Sequence, residues 1–287
     1  MFAIYKRELK SYLTNMIGCV FISVLLIIVG IFVTVMNLLY GYPLFEYSIS
    51  NLTPFLFVLI PILTMRSVSE ERHAKTDQLL YSLPVSVGNV VLAKYFAMIT
   101  VFLIPTVIMA FYPLILSIFG NVPFASAYGA LLGFMLLVSA LISVGLFISS
   151  ITESQVIAAV VSAGVLLGMY LMSVIAGIIP SSAFASLIGF AVVMVLIALI
   201  VWRMTKNATV AGIVCVAGLF LVGSIYLIDS TLFEGLFPRV LNWLSVFDRF
   251  DSFSEGLFDL TTIVYYLSIS ALFVFSTIQS VEKRRWS

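Results

Sequence analysis

Few residues in this chain could do chemistry, and many of them lie in one polar segment, Met65–Lys94. Charged residues make up 9% of the 287 residues, yet this segment holds seven of them and the single histidine. They are Arg66, Glu70, Glu71, Arg72, His73, Lys75, Asp77 and Lys94. Mixed signs at this density suit ion pairs and protein contacts. His73 stands in a polar loop, so we interpret it as a solvated residue rather than a catalytic residue or metal ligand.

The sequence motifs of several enzyme classes are missing. There is no Gly-Lys dipeptide and therefore no phosphate-binding loop, and no H-E-x-x-H zinc motif. The two cysteines, Cys19 and Cys215, fall in apolar runs, which is typical of packing residues rather than of a disulfide or a metal site. We therefore predict that the chain is not an enzyme and binds no cofactor or metal itself. Any energy from ATP must enter through a separate subunit.

The composition indicates a chain whose solvent is mostly lipid. Hydrophobic residues make up 62% of the chain, and the mean hydropathy is +1.21. Soluble domains are only about 45–50% apolar and about 25% charged. No basic patch interleaved with aromatic residues appears, so no nucleic-acid partner is predicted.

The apolar runs predict an all-α, polytopic membrane bundle of about eight spans. A helix of about 20 apolar residues crosses a hydrocarbon core of about 30 Å, and the first run is too long for a signal peptide. The predicted spans are about 17–39, 50–66, 91–119, 125–149, 155–179, 184–202, 208–228 and 260–281. Residues 1–14 read as an interfacial helix and Glu46 as part of a short loop. Residues 229–259 form an amphipathic segment.

The basic residues predict the orientation of these spans. With both termini in the cytoplasm, 12 of the 14 Lys and Arg residues fall on the cytoplasmic side, and only Arg239 and Arg249 fall outside. The opposite orientation would invert this bias. The segment 229–259 is then extracytoplasmic, and the chain is a multi-pass protein of a plasma membrane.

No ionisable residue lies near the middle of a predicted span. Such residues usually mark ion pathways or proton relays, so their absence disfavours an ion-coupled carrier or an intramembrane protease. Two pairs of glycines spaced by four, Gly129 with Gly133 and Gly164 with Gly168, allow close approach of helices. Packing within the bundle and a dimer seam both remain open.

Several motifs resemble one family of transporter subunits. The N-terminal RELKSY, a span, and then SEERHAKTDQLLYSLPVS resemble the permease subunits of ABC-2 type transporters. The resemblance is to the branch that includes gliding-motility and nitrous-oxide-reductase maturation permeases. The matching residues are Glu70, Glu71, Arg72, Thr76, Leu79, Leu80, Pro84, Val85 and Ser86. Lys75 and Gln78 depart from the pattern, which usually has Gly and Glu there.

Three later stretches carry the same resemblance. They are Ser149–Gln155, which resembles the second cytoplasmic turn of the family, Phe247–Asp259 before the last span, and the basic tail Glu282–Trp286. The resemblance covers most of the chain except about 183–228. Because the usual family unit has six spans, residues 183–228 look like an added span pair.

The resemblance implies a cytoplasmic coupling loop at residues 66–90, which docks on a separate ABC ATPase subunit. The residues that it assigns to this contact are Glu70, Glu71, Arg72, Thr76, Leu79, Leu80, Leu83 and Pro84. Thr152, Glu153 and Gln155 belong to the second cytoplasmic turn. ATP and Mg²⁺ would be bound by the ATPase, and a second permease subunit, identical or different, would complete the membrane part.

Three alternatives remain open from the sequence. The coupling loop could form a docking helix, or a solvated juxtamembrane helix whose leucines lie on lipid. The chain could be a permease of a bacterial exporter, or an ABC-type mechanotransmission or assembly factor that acts on an extracytoplasmic partner. The segment 229–259 could roof an exit path, bind such a partner, or simply connect two spans.

Overall fold

The computed structural model describes residues 1–74, 86–205 and 207–285, and these residues are mostly helical, with no β-strand among them. Eight of the described helices are long and apolar enough to cross a membrane, in agreement with the predicted all-α bundle of about eight spans. They cover Met16–Leu39, Phe45–His73, Val87–Leu116, Phe124–Ile151, Gln155–Ile178, Ala183–Arg203, Ala208–Ile228 and Leu260–Arg284.

These spans are built from shorter regular elements. The α-helices are α1 (Phe2–Thr14), α2 (Met16–Phe32), α3 (Phe45–Ser50), α4 (Leu56–Thr64), α5 (Ser69–His73), α6 (Val87–Met109), α7 (Tyr112–Leu116), α8 (Phe124–Ile151), α9 (Gln155–Ile178), α10 (Ala183–Thr205), α11 (Ala208–Ile228), α12 (Leu236–Leu244), α13 (Asp251–Ser254) and α14 (Leu260–Arg285). A π-helix follows α2 at Val33–Leu39, and 3₁₀ turns lie at Thr53–Phe55, Ser230–Phe233 and Asp248–Phe250.

The chain divides into two compact units, and helix α8 forms the centre of the first. Unit 1 comprises residues 1–168 and 246–287. Helix α8 packs against α3, α4, α6, α13 and α14. Two glycines allow this close packing: a Cβ at Gly145 would lie 2.4 Å from Thr64 Oγ1, and one at Gly133 would lie 2.5 Å from Phe253 Cγ. Any larger side chain there would push a neighbouring helix away.

Unit 2 comprises residues 169–245 and has a small core of its own. Helix α10 packs along α11, and α12 lays Phe237 and Leu241 against Ala176. Gly235, with φ +64°, turns the chain into α12, and its N–H donates to the Ser181 carbonyl at 2.8 Å. The predicted span pair 183–228 lies entirely within this unit.

Only part of the predicted glycine packing is seen. Gly133 lies against Phe253 within unit 1, so its role is packing inside the bundle. For Gly129, Gly164 and Gly168, no described atom lies within 4 Å of where a Cβ would stand. For these three positions both interpretations therefore stay predictions.

Two expectations about local structure were wrong. Glu46 does not lie in a loop: it lies on α3 and is 1% exposed, because α3 packs against α8 and the π-helix. Asn37 of the π-helix holds the turn that connects the π-helix to α3, since its Nδ2 donates to the Tyr42 carbonyl at 2.8 Å and its Oδ1 accepts from Ser48 Oγ at 2.6 Å. The polar segment is also shorter than expected, because α6 already begins at Val87 and includes Lys94.

The predicted amphipathic segment 229–259 contains four short elements. A 3₁₀ turn and α12 belong to unit 2, and a second 3₁₀ turn and α13 belong to unit 1. Asp259 ends the segment and supports the start of α14, because its carboxylate accepts from the Thr261 N–H at 2.9 Å and from Thr262 Oγ1 at 2.9 Å. These hydrogen bonds, led by that of the Thr261 amide, lower the pKa of Asp259.

Candidate functional site

Six charged side chains come together at one end of unit 1, where α1, residues 65–74 and α6 meet. We call this group the charged cluster: Arg7, Glu8, Arg66, Glu70, Glu71 and Lys94. Three of these residues come from the coupling loop, two from α1 and one from α6. The cluster therefore joins the start of the coupling loop to two neighbouring helices.

Lys94 is the most buried member of the charged cluster. It lies about two turns into α6, and its side chain is only 3% exposed. Its ammonium contacts Glu71 Oε1 at 2.9 Å and Glu8 Oε1 at 3.3 Å, and it donates to the Ser67 carbonyl at 2.8 Å. Three acceptors match the three protons of an ammonium, so each N–H of this buried group has a partner.

Arg7 closes the same arrangement from the solvent side. Its Nη2 contacts Glu8 Oε1 at 2.7 Å and Glu71 Oε1 at 3.1 Å. The hydrogen bond to Glu8 is the main cause that raises the pKa of Arg7, so the guanidinium stays charged at any physiological pH. Glu8 and Glu71 are thus each held between two cations.

Arg66 and Glu70 form a pair within the coupling loop itself. Arg66 Nε donates to Glu70 Oε2 at 2.6 Å, and Nη2 contacts Oε1, so the pair is bidentate. The two residues are spaced i, i+4, which aligns the fork of the guanidinium with the carboxylate. Because both side chains are partly exposed, this pair contributes little energy, about 0–1 kcal/mol.

Helix α1 is fastened to the bundle by two tyrosines as well as by the cluster. Tyr12 is buried and donates from its hydroxyl to the Leu63 carbonyl at 3.3 Å, and the Tyr5 hydroxyl pairs with Thr100 Oγ1 at 2.9 Å. Burial raises the pKa of the Tyr12 hydroxyl, so it remains a neutral donor. The predicted helix over 1–14 is present, and it packs against α6.

The short helix α5 is capped by a serine from a distant helix. Ser149 of α8 is fully buried, and its Oγ accepts from the N–H groups of Val68 and Ser69 at 3.2 and 3.3 Å. The same hydroxyl donates to the Met65 carbonyl at 3.3 Å. The first N–H groups of a helix have no partner inside it, and the side chain of the N-cap residue, Val68, makes no capping hydrogen bond. Ser149 therefore fixes where α5 begins.

Residues 151–153, which were predicted to form a second cytoplasmic turn, contact Arg72 and the tail of α14. Arg72 is buried and donates from Nη1 to the Thr152 carbonyl at 3.4 Å. From the other side, Arg284 donates to the Ile151 carbonyl at 3.0 Å and pairs with Glu153 at 3.5 Å. Carbonyls at the end of α8 are left without helical partners, and these guanidiniums supply the donors.

The structure places the predicted site residues in different settings. Glu71 and Arg72 point into unit 1, Glu70 is partly exposed, Thr152 accepts from Arg72, and Glu153 is exposed beside Arg284. Gln155 begins α9. Thr76, Leu79, Leu80, Leu83 and Pro84 lie outside the described residues. Contact of any of these residues with an ATPase stays a prediction.

Sequence reasoning missed four residues that hold this end of unit 1 together. They are Glu8, Tyr12 and Lys94, whose contacts were not predicted, and Ser149, whose role as a helix cap was not predicted. Two of them carried a signal: Lys94 is a cation within an apolar helix, and Glu8 is the single acidic residue of α1. A charge in such a place usually has a partner of opposite sign, which could have suggested this pair.

The contacts described above join four segments of unit 1: α1, residues 65–74, α6 and the end of α8. Among residues 1–74, 86–205 and 207–285, no group of three or more His, Cys, Asp or Glu residues could hold a metal ion. The fold and site thus define a multi-pass helical membrane protein with a braced polar segment. Comparison of the chain with protein-family models, with curated proteins and with solved structures finds no match in any of the three.

Proposed function

We propose that this chain is the membrane-spanning subunit of an ABC-2 type exporter in a bacterial cell membrane. The motifs Glu70–Arg72, Ser149–Gln155 and Glu282–Trp286 support this assignment by their resemblance to that family. The observation that carries it is the bracing of residues 65–74 by Lys94 and Ser149. A segment that receives a push from another subunit must be joined stiffly to the spans that it moves.

In this proposal the ATPase subunit binds ATP and Mg²⁺ and docks on the coupling loop. Closure of the ATPase on ATP displaces the loop, and the contacts of Glu71 and Arg72 carry the displacement to α1, α6 and α8. These helices then tilt and switch the bundle between two arrangements. A second permease subunit, identical or different, would form the other wall of the transport path.

The test separates docking from transmission. The tagged full chain is purified from its native membrane with the subunit that carries the phosphate-binding loop, and the ATPase rate is measured. Leu80→Asp places a charge on the predicted docking face, so the ATPase should no longer co-purify. Glu71→Lys reverses a charge between Arg7 and Lys94, so the ATPase should still co-purify but its coupled rate should fall.

Leu257→Asp serves as the matched control, because Leu257 is an exposed leucine that lies outside the predicted docking segment. It should leave both readouts unchanged. If Leu80→Asp and Glu71→Lys both keep normal coupled ATPase activity, the assignment of the coupling loop is wrong.

The orientation is tested by labelling in a background without Cys19 and Cys215. Ala74→Cys and Asn121→Cys both place a thiol at exposed positions in described loops. A thiol reagent that cannot cross membranes should label Asn121→Cys in intact cells, and Ala74→Cys after the cells are opened. The reverse pattern would refute the cytoplasmic assignment of the coupling loop.

The second candidate is a mechanotransmission or assembly factor, and one observation favours it. Helix α12 buries Phe237 and Leu241, while Trp243 on the same helix is 73% exposed. Exposed tryptophans are enriched where proteins bind partners. If Trp243→Ser abolishes the cellular phenotype but leaves ATP-driven export by reconstituted vesicles intact, the partner-directed function is favoured over export alone.

A further inference from the structure

A polar recess lies beside the charged cluster, between α1 and the start of the coupling loop. Its volume is about 410 Å³, within the range of about 300–1,000 Å³ that is typical of small-molecule sites. Its wall includes all six residues of the charged cluster, together with Ser67. A smaller cavity of about 40 Å³ shares most of this wall and adds Tyr12 and Ile17.

Hydrogen-bond donors in this wall are left over after the internal pairs are formed. Ser67 is 97% buried, and its hydroxyl, which lies close to the Tyr12 hydroxyl, makes no hydrogen bond of ordinary geometry to a described residue. Arg66 uses Nε and Nη2 for Glu70, and Arg7 uses Nη2 for Glu8 and Glu71. Nη1 of each guanidinium makes no hydrogen bond to any described residue. A buried hydroxyl that lines the same recess as two guanidiniums is a suitable setting for a phosphate group.

The charge balance of the wall selects among phosphate-bearing ligands. Three cations, Arg7, Arg66 and Lys94, face three carboxylates, Glu8, Glu70 and Glu71. A net neutral wall gives no advantage to an anionic headgroup, whereas basic pockets are what anionic lipids require. A ligand that carries both a phosphate and an ammonium can satisfy guanidiniums and a carboxylate together. Glu70 is the partly exposed carboxylate that could accept the ammonium.

The lining also distinguishes a primary from a quaternary ammonium. Quaternary ammonium groups are recognised by cages of aromatic faces, because they have no N–H to donate. The described wall of the larger recess contains no aromatic residue. Tyr12 is the single aromatic residue in the described wall of the smaller cavity. Carboxylates and carbonyls are instead the acceptors that an N–H-bearing ammonium needs.

Next to the recess, the smaller cavity borders an apolar helix, which a lipid needs and a free phosphate does not. The smaller cavity is bounded by Ile17, at the start of α2. On the same helix, Met16 and Val20 are exposed, so acyl chains could continue along α2. We propose that this recess is a headgroup site for a phospholipid that carries phosphoethanolamine. The proposal depends on membrane insertion of unit 1 and not on the ATPase partner.

The test measures which lipid the delipidated full chain retains. The detergent-solubilised protein is incubated with equimolar dioleoyl phosphatidylethanolamine, phosphatidylcholine and phosphatidylglycerol, and adducts are counted by native mass spectrometry. We expect one phosphatidylethanolamine to be retained about tenfold or more over the other two, which corresponds to one charge-assisted hydrogen bond. Preference for phosphatidylglycerol, or no preference, would overturn the proposal.

Two variants and one control locate the site. Arg66→Gln should reduce retention of phosphatidylethanolamine about tenfold by removing a guanidinium. Ser67→Ala removes only the buried hydroxyl, so it should fold normally and lower retention several-fold. Arg284→Gln is the matched control, because Arg284 lies at the same end of unit 1 but does not line the recess. Unchanged retention in both site variants would refute the location.

Two soluble probes separate a lipid from a free phosphate. Phosphoethanolamine and inorganic phosphate are each added in competition with phosphatidylethanolamine. We expect phosphoethanolamine to compete only at high concentration, since it lacks acyl chains to lie on α2, and inorganic phosphate not to compete. Competition by inorganic phosphate at the concentration at which the lipid binds would show a phosphate site and overturn the lipid assignment.

Discussion

Removal of the Lys94 ammonium should destabilise unit 1 more than any other single change in the charged cluster. In Lys94→Met, a side chain of similar length leaves Glu8 and Glu71 without their buried partner and the Ser67 carbonyl without its donor. Breaking a buried ion pair by removing one partner costs about 3–5 kcal/mol. Because Arg7 still contacts both carboxylates, which are slightly exposed, we expect the lower end, about 3 kcal/mol.

Thermal unfolding in detergent micelles measures this loss. For chains of this size, 1 kcal/mol corresponds to a shift in Tm of about 2–4 °C, so Lys94→Met should lower Tm by roughly 6–12 °C. Lys94→Arg keeps the charge but brings a larger, planar head group, so its Tm should fall less than that of Lys94→Met. In a double-mutant cycle with Glu71→Gln, the coupling energy between the two positions should be about 1–3 kcal/mol.

The combined variant gives the sharpest test of the reasoning. If burial of unpaired charge is what destabilises Lys94→Met, then adding Glu8→Gln and Glu71→Gln should restore much of the lost stability, because no uncompensated carboxylate remains. Two results would show that unpaired charge does not cause the loss of stability. One is a triple variant that is less stable than Lys94→Met, and the other is a Lys94→Met variant that is as stable as the parent.

Three further changes test other contacts of unit 1. Ser149→Ala removes the cap of α5, which costs about 1 kcal/mol, so amide hydrogens at the start of α5 should exchange about fivefold faster. Gly145→Val should cost about 1–3 kcal/mol or more by displacing Thr64, whereas Gly129→Val on the same helix should be nearly neutral in Tm. Burial, with nearby carboxylates, raises the pKa of Asp251, so the folded state holds this proton to higher pH than the unfolded state. Stability should then fall as pH rises from about 4 through the folded pKa, and Asp251→Asn should remove that part of the slope.

Most of the spans could be predicted from the sequence because the bilayer imposes a simple rule. A helix that crosses lipid must be apolar for about 20 residues, so length and composition nearly define it. The predicted spans 125–149 and 208–228 differ from α8 and α11 by at most two residues at either end. The second span was predicted too short, at 50–66 against Phe45–His73, because the charged residues at its ends were assumed to lie in water.

The candidate site could be predicted as a set of segments but not as a set of contacts. The N-terminal helix, the coupling loop, the second cytoplasmic turn and the tail were expected on one side of the membrane. In unit 1 they meet, since Arg7 contacts Glu71, Arg72 bonds to Thr152 and Arg284 bonds to Ile151. The partners in these pairs are more than 60 residues apart in sequence, so local periodicity carries no information about them.

The buried charges of unit 1 show why counting ionisable residues in spans is an incomplete guide. Lys94 and Glu46 both lie inside membrane-length helices and are almost fully buried. Lys94 is surrounded by three acceptors, which offset much of its desolvation, whereas neither carboxyl oxygen of Glu46 has a hydrogen-bond partner among the described residues. Both are single ionisable residues in an apolar stretch of sequence, yet burial is compensated by hydrogen bonds for Lys94 and is not compensated by described residues for Glu46. What distinguishes them is the set of groups that other helices bring to each position, and only the folded chain supplies that set.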